Sequence, residues 1–254
     1  YAKFSGAISS GVTLINTNKN GNNRYRPFKY LTNFLLNFKE IIDNRNDFYN
    51  SKNIHYSDHY LSLLKKTFSS IKLNTKSYIK PEIRSIIPTA LKKNYIFDYI
   101  IFHLDEKWNK INWKSNELIE LLKKIDQNTA MDIIITEGIV KTSFNKIIDT
   151  LNFKKIDNDS IFYKSTQFKK IFLIKKINSI DLFSLISKSN IVIQIHGGLV
   201  HMASSFNIPV IDIIYPGTEN FLNKWHPKSD KYIQITNDNC YDTSKLIIKF
   251  IKDN

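Results

Sequence analysis

Short segments rich in Ile and Val alternate with segments of helical periodicity through the second half of the chain, and this alternation constrains the fold more than any other feature. Ile191–Ile195 and Val210–Ile214 are the clearest of the apolar segments. Such runs are typical of strands that are buried on both faces of a parallel sheet. Strands and helices that alternate at this spacing build βαβ units. The sequence therefore predicts an α/β fold with a parallel sheet.

The predicted elements of this region begin at residue 95. Strands are predicted over residues 95–102, 131–136, 168–174, 191–195 and 210–214. Helices are predicted over residues 116–124, 142–151, 179–187, 201–206 and 243–252, with Ser115 and Ser179 as caps of two of them. Asp157, Asn158 and Asp159 lie between two short strand patterns, which favours a hairpin turn over a metal-binding acidic triplet.

Residues 1–94 differ in character, because they are largely polar and rich in Asn. Helices are predicted over residues 30–42 and 57–64, where apolar side chains recur at helical spacing. Residues 74–94 contain Pro81 and Pro88 and are predicted to form a linker or extended connection. We therefore predict two domains. Residues 1–94 are the remainder of an amino-terminal domain plus the linker, and residues 95–254 form a carboxy-terminal α/β domain.

Two glycine-containing loops follow consecutive predicted strands. His196, Gly197 and Gly198 follow the strand at 191–195, and Pro-Gly-Thr at 216–218 follows the strand at 210–214. Ligands of open α/β sheets bind outside the carboxyl ends of the strands, and the free N–H groups of a helix N-terminus suit a phosphate. Glycine lets a ligand approach the backbone closely, although a Gly-Gly pair also serves simply to permit a tight turn. The two loops together favour a phosphate-binding site.

The segment 191–218 resembles the carboxy-terminal domain of glycosyltransferase family 9, the heptosyltransferase-like group. Members of that family carry a strand, then Asp-(Ser/Thr)-Gly-x-x-His-x-Ala, then a helix and a second strand that runs into a Gly/Pro loop. Gly198, His201 and Ala203 stand at the Gly, His and Ala of this motif. Residues 216–218 stand at the later loop.

The chain departs from this motif at two positions, since His196 replaces its Asp and Gly197 replaces its Ser or Thr. The resemblance continues upstream, where the family has a loop with Lys and Trp before a helix. Lys110, ahead of Trp113, is the better match for the phosphate-binding lysine of that loop. Lys107 is the second candidate, because its spacing is off by one. The alternative for either lysine is a solvated position on a polar loop.

The resemblance implies a GT-B-like α/β fold of two Rossmann-like domains with parallel sheets, the amino-terminal one incomplete. It also implies a metal-independent, inverting transfer from a nucleotide-sugar donor to a lipopolysaccharide-core or other surface-glycan or glycolipid acceptor, with no cofactor. The residues expected to bind the donor are Gly197, Gly198, Lys110, Lys107, His201 and Thr218. The base of the family is an Asp near the start of the amino-terminal domain, and we expect this chain to begin beyond that point. The catalytic residue is therefore unassigned, with His196 as the one substitute considered and a structural role expected for His201.

The net charge of +14 comes mainly from Lys, since only four of the 37 basic residues are Arg. Proteins that read nucleic-acid grooves favour Arg, so the charge indicates a solvated surface, or one suited to an anionic membrane or a phosphate-bearing acceptor, rather than nucleic acid. The single Cys240 fits a reducing compartment. No segment has the roughly 18 to 20 apolar residues of a membrane span. We expect a cytoplasmic protein that contacts the inner face of the membrane peripherally.

Three other functions stay open at this stage. A non-catalytic binding protein on a degenerate glycosyltransferase scaffold would account for the lost Asp of the motif. A sugar-nucleotide epimerase has a similar two-domain fold and would form product without an acceptor. A nucleic-acid binder would associate with duplex or single strands in a steeply salt-dependent way.

Overall fold

The structure is a computed structural model that describes residues 10–17, 23–25, 38–43, 85–111, 113–138, 145–156, 161–237 and 239–253. Two compact units divide the chain: the first unit comprises Tyr1–Lys76 and Thr218–His226, and the second comprises Ser77–Gly217 and Pro227–Asn254. None of the helices in the described ranges is both long enough and apolar enough to cross a bilayer.

The first unit contains a three-stranded sheet of order β2-β1-β3 and a short helix, Glu219–Leu222. The strands are β1 (Ser10–Thr17), β2 (Asn23–Tyr25) and β3 (Phe38–Asp43). β1 pairs antiparallel with β2 and parallel with β3.

The predicted helix over residues 30–42 is wrong at its carboxyl end, because residues 38–42 belong to β3. Backbone pairing with the distant β1 outweighs the local helical spacing of the apolar side chains there. The predicted helix over residues 57–64 lies outside the described residues.

The second unit is built on an eight-stranded sheet of order β11-β10-β9-β4-β5-β8-β7-β6. Its strands are β4 (Tyr99–Leu104), β5 (Asp132–Glu137), β6 (Phe153–Lys155), β7 (Phe162–Ser165), β8 (Ile171–Ile174), β9 (Ile191–Ile195), β10 (Val210–Ile214) and β11 (Tyr232–Thr236). Its helices are α1 (Ile87–Lys93), α2 (Ser115–Asn128), α3 (Asn145–Thr150), α4 (Ser179–Ser187), α5 (Gly198–Ser205) and α6 (Cys240–Asp253).

The strand order of this sheet reverses beside β4. The chain passes from β4 to β5 and β8 on one side, then returns to place β9, β10 and β11 in turn on the other side. All pairings among these six strands are parallel, as predicted, whereas β6 and β7 pair antiparallel. The two strands of the hairpin predicted across residues 157–159 are present as β6 and β7, and its turn lies outside the described residues. The reversal makes the boundary between β4 and β9 the topological switch point of the sheet.

Helices cover both faces of the sheet. One face packs against α2, α3 and α6, and the other packs against α1, α4 and α5. Neighbouring side chains of a strand therefore alternate between two apolar layers, as in β9, where Ile193 faces the first layer and Val192 the second. The Ile- and Val-rich strands of the sequence follow from this burial on both faces.

Several predicted boundaries need correction. The first strand of the second unit begins at Tyr99 rather than at residue 95. A helix fills part of the predicted linker, and Tyr95 follows that helix with φ 57° and 82% exposure, which does not fit a buried strand. Ser115 lies inside α2, whose N-cap residue is Lys114. The helix predicted to begin at His201 begins at residue 198. β11 was not predicted, since its apolar and polar side chains alternate over only five residues.

Candidate functional site

The loops that follow β4 and β9 meet at the carboxyl edge of the sheet, on either side of the switch point. The two strands are direct neighbours, with Phe102 of β4 opposite Ile193 of β9. In open α/β sheets, the crevice outside these strand ends is the place where ligands bind. A ligand site of the second unit is therefore expected at these two loops.

The loop after β4 is held rigidly by its own residues. Asp105 follows the last residue of β4, and its Oδ1 accepts a hydrogen bond from the backbone N–H of Lys107 at 3.0 Å, which caps a 3₁₀ turn over Glu106–Lys110. Trp108 is fully buried, and its indole N–H donates to the carbonyl oxygen of His103 at 2.8 Å. With its cap and its indole anchored, the turn sets the backbone position of Lys107.

The side chain of Lys107 lies directly over Gly197, the N-cap residue of α5. A Cβ built on Gly197 would lie 2.2 Å from the Lys107 Nζ. The same ammonium lies 3.4 Å from the Asp105 Oδ2 and stays partly exposed. The backbone of Gly197 is extended (φ −179°), which any residue adopts, so glycine is needed here for space alone. The structure thus places a lysine ammonium beside the N-terminus of a helix, a combination suited to an anion.

A third loop, after β10, supports this arrangement. The hydroxyl of Tyr215 donates to the carbonyl oxygen of Lys107 at 2.6 Å and ties the two loops together. Burial, followed by the nearby charges of Asp105 and Glu106, raises the pKa of Tyr215 to about 12, so the hydroxyl keeps its proton at neutral pH.

Lys110 takes a different position from Lys107. It lines a cavity of about 470 Å³ whose other walls are Ile111, Trp113, Glu117, Tyr215, Pro216, Asn237, Asn239 and Cys240. The indole N–H of Trp113 donates to the Asn237 side chain across this cavity. Burial raises the pKa of the Cys240 thiol, which therefore stays protonated at neutral pH. Of the two candidate lysines, Lys107 is the one that the structure brings to the Gly197–Gly198 turn.

His196 lies at the end of β9 and contacts a buried carboxylate. Its Nδ1 is 2.6 Å from the Oδ2 of Asp212, a residue with no exposed surface in the middle of β10. The hydroxyl of Tyr232 donates to the same oxygen at 2.6 Å. Asp212 and Tyr232 were not predicted as site residues; the available signal was an acidic residue inside an otherwise apolar strand.

The other histidines of the second unit play different parts. His201 lies on the exposed side of α5, with its ring edge-on to that of His196 at 5.7 Å. His103 is buried, its Nδ1 is 2.9 Å from the Oγ1 of Thr136, and burial is the main cause that lowers its pKa. No group of three or more His, Cys, Asp or Glu side chains in the described part of the chain is placed to hold a metal ion.

Two further residues at this edge were not predicted. Glu137 ends β5, the strand next to β4, and therefore lies at the same edge of the sheet as the loops after β4 and β9. Gly138 follows it, and a Cβ there would lie 3.0 Å from the Cα of Asp105. Thr218, a predicted donor residue, belongs to the first unit, where its carbonyl oxygen accepts the N–H of Leu222.

No protein-family model and no curated protein sequence matches the chain. The fold is therefore identified by comparison with solved structures. The E. coli ADP-heptose lipopolysaccharide heptosyltransferase II matches with a TM-score of 0.63 at 14% identity, over 99% of this chain and 71% of that one. A family 9 glycosyltransferase from Veillonella parvula matches with a TM-score of 0.59 at 14% identity, over 87% and 57%. The chain has the GT-B fold. This confirms the predicted fold class and the resemblance to family 9.

The same GT-B fold also occurs in an epimerase. The UDP-GlcNAc 2-epimerase of Methanocaldococcus jannaschii matches with a TM-score of 0.54 at 14% identity, over 99% of this chain and 64% of that one. The chain thus spans less than two thirds of the epimerase and of the Veillonella protein.

Proposed function

We propose that the protein is a glycosyltransferase whose second unit binds the nucleotide-sugar donor. The observation that carries this proposal is the Lys107 ammonium lying over Gly197 at the switch point of a GT-B sheet. A cation beside the N–H groups of a helix N-terminus suits the diphosphate of such a donor. Glu137, at the end of the neighbouring strand, suits the ribose hydroxyls.

The chemistry assigned to this site is the stabilisation of a leaving group. The acceptor hydroxyl oxygen forms a bond to the anomeric carbon from the face opposite the diphosphate, so the configuration inverts. The bond from that carbon to the phosphate oxygen breaks, and the nucleoside diphosphate leaves with the electron pair. Lys107 and the N–H groups of α5 neutralise the charge that grows on it, which is the role we propose in a metal-independent reaction. The base that takes the acceptor proton is unassigned.

The acceptor and the place of the reaction follow from the family resemblance and the charge. We propose a lipopolysaccharide-core or other surface-glycan acceptor, carried on a glycolipid. The +14 charge suits transient contact with an anionic membrane on its cytoplasmic side.

The donor site is tested by calorimetric titration of inorganic pyrophosphate, ADP and UDP into the full chain and into two variants. Lys107→Ala is expected to weaken binding about tenfold or more, since it removes a charge-assisted contact. Lys110→Ala, a matched loss of charge three positions along the same loop, is expected to weaken it much less. If the wild-type chain binds none of the three probes, or if Lys110→Ala has the larger effect, the proposed site is wrong.

Turnover separates the candidate functions. With a nucleotide-sugar and a lipopolysaccharide-core acceptor, a glycosyltransferase releases nucleoside diphosphate only when the acceptor is present. The fold shared with the Methanocaldococcus enzyme makes an epimerase the second candidate, and this would convert a UDP-sugar without any acceptor. Binding with no turnover under either condition would identify a non-catalytic binding protein.

A further inference from the structure

His196, Asp212 and Tyr232 form a hydrogen-bonded chain that runs from inside the sheet to the candidate donor site. We propose that His196 is an additional ligand of the donor diphosphate and that Asp212 is the residue that positions it. This inference rests on the proposed function, and it assigns a task to the position where the family motif has Asp.

Asp212 lies buried inside the sheet. The residue has no exposed surface, and neighbouring strands place Gln194 and Gln234 opposite it. Its Oδ2 contacts the His196 ring and the Tyr232 hydroxyl, both at 2.6 Å, whereas its Oδ1 has no hydrogen-bond partner in the described part of the chain. A buried carboxylate costs several kcal/mol of desolvation, and apolar residues of similar size often stabilise such a site better. Stability alone is therefore a poor reason for Asp at this position.

The His196 ring turns its Nδ1 toward Asp212. Because Nδ1 faces the buried carboxylate, Nε2 is on the opposite edge of the ring and is the nitrogen left for a ligand. The side chain is 14% exposed, so the ring is mostly enclosed but still reaches solvent. The next residue in the chain is Gly197, with the Lys107 ammonium above it.

The chemical consequence follows from this orientation. In the proposed complex with the donor, the ring donates from Nδ1 to Asp212 and from Nε2 to a phosphate oxygen, so that both nitrogens carry a proton and the Asp212 carboxylate balances the charge. Tyr232 donates to the same carboxylate oxygen and is itself bonded by the Gln234 amide at 3.0 Å, which holds the Tyr232 hydroxyl against Asp212. His196 thus joins Lys107 as a second cation at the leaving group, while Asp212 and Tyr232 act only through the ring.

The test uses the full chain with His196→Gln and Asp212→Asn, and inorganic pyrophosphate as the probe in calorimetric titration. Each variant is expected to bind pyrophosphate about tenfold more weakly than wild type, because one charge-assisted contact is lost or misaligned. Asp181→Asn is the matched control. Asp181 is a buried carboxylate on α4, bound by the side chains of Ser85 and Asn178. This control is expected to bind pyrophosphate like wild type.

Two further measurements keep the inference open to refutation. ¹⁵N NMR of the His196 ring with pyrophosphate bound is expected to show a proton on both Nδ1 and Nε2 in wild type, and bound pyrophosphate with no proton on Nε2 would contradict the inference. Thermal melting identifies any variant that fails to fold; if Asp212→Asn does, His196→Gln alone decides. Wild-type affinity in His196→Gln overturns the inference, while a loss in Lys107→Ala still supports the proposed function. No binding of pyrophosphate, ADP or UDP by wild type overturns both.

Discussion

Gly197 and Gly198 are neighbours in the sequence but differ in what their missing side chains permit. A Cβ on Gly197 would collide with the Lys107 Nζ, whereas a Cβ on Gly198 has no atom within 4 Å. The colliding atom is the end of a flexible side chain, so Gly197→Ala displaces the ammonium rather than the backbone. We expect Gly197→Ala to keep the melting temperature close to that of wild type and to weaken pyrophosphate binding several-fold. Calorimetric titration checks this, with Gly198→Ala as the control that leaves Lys107 in place. Equal affinities in wild type and Gly197→Ala would contradict it.

His103 gives a prediction on pH. Burial lowers its pKa in the folded state below the ordinary value of 6.5, so the unfolded chain binds more protons between the two values. Stability therefore falls as the pH drops below about 6.5 toward the folded-state pKa. We expect His103→Asn, which keeps a polar partner for Thr136, to lose less melting temperature between pH 7 and pH 5 than wild type does. Melting curves across that range measure it, and an unchanged slope would show that His103 is not responsible.

The two candidate lysines show where sequence reasoning ends at this scale. Spacing against the family pattern favoured Lys110, yet Lys107 is the lysine at Gly197. The reason is local: the Asp105 cap and the buried Trp108 wind residues 106–110 into a 3₁₀ turn. This winding decides the direction of each side chain, and a count of residues along the loop does not contain it. Asp212 was missed for a related reason, since a single acidic residue in an apolar strand gives no sign of its partner 16 positions away.

The elements that the sequence predicted best are those whose side chains are apolar on both faces. β9 and β10 were predicted with their observed ends, because a buried parallel strand leaves a continuous Ile and Val signal. β11 lies at the edge of the sheet and is mostly half-buried, so its signal is weak. β3 was predicted as a helix because its pairing with β1 is a contact between distant segments. Sequence periodicity thus located the strands that carry the site but not the edges of the sheets.

A hydrogen bond joins the loops after β4 and β10, and we expect its loss to destabilise the site. Tyr215→Phe removes the hydroxyl that donates to the Lys107 carbonyl and leaves the ring in place. We expect a loss of about 1 kcal/mol in the free energy of unfolding, the usual net contribution of one hydrogen bond. Urea denaturation measures this loss, and Tyr95→Phe, at an exposed tyrosine, is the control. Wild-type stability in Tyr215→Phe would show that the bond does not hold the loops together.

In the molecule as a whole, the residues proposed to bind the donor all lie in the second unit. Its sheet order, its switch point and the contact of Lys107 with Gly197 all lie within that unit. A glycosyltransferase also needs a base and a binding site for its acceptor, and neither is assigned among the described residues. The chain covers 57% of the Veillonella protein and 71% of the E. coli heptosyltransferase II. Transfer to an acceptor is therefore a proposal for this chain, and the turnover assay tests it.

The net charge of +14 gives the last prediction, because Lys-rich surfaces distinguish poorly between bases but respond strongly to a charged plane. We expect the chain to sediment with vesicles that contain phosphatidylglycerol and to be released by about 0.5 M salt, since the Debye length then falls to a few ångströms. Vesicles of phosphatidylcholine alone are the control and should leave it in solution. Duplex DNA matched to the vesicles in total anionic charge should compete only weakly at physiological salt if the surface serves a membrane. Binding to neutral vesicles, or preferential binding to the duplex, would contradict the membrane role and favour a nucleic-acid partner.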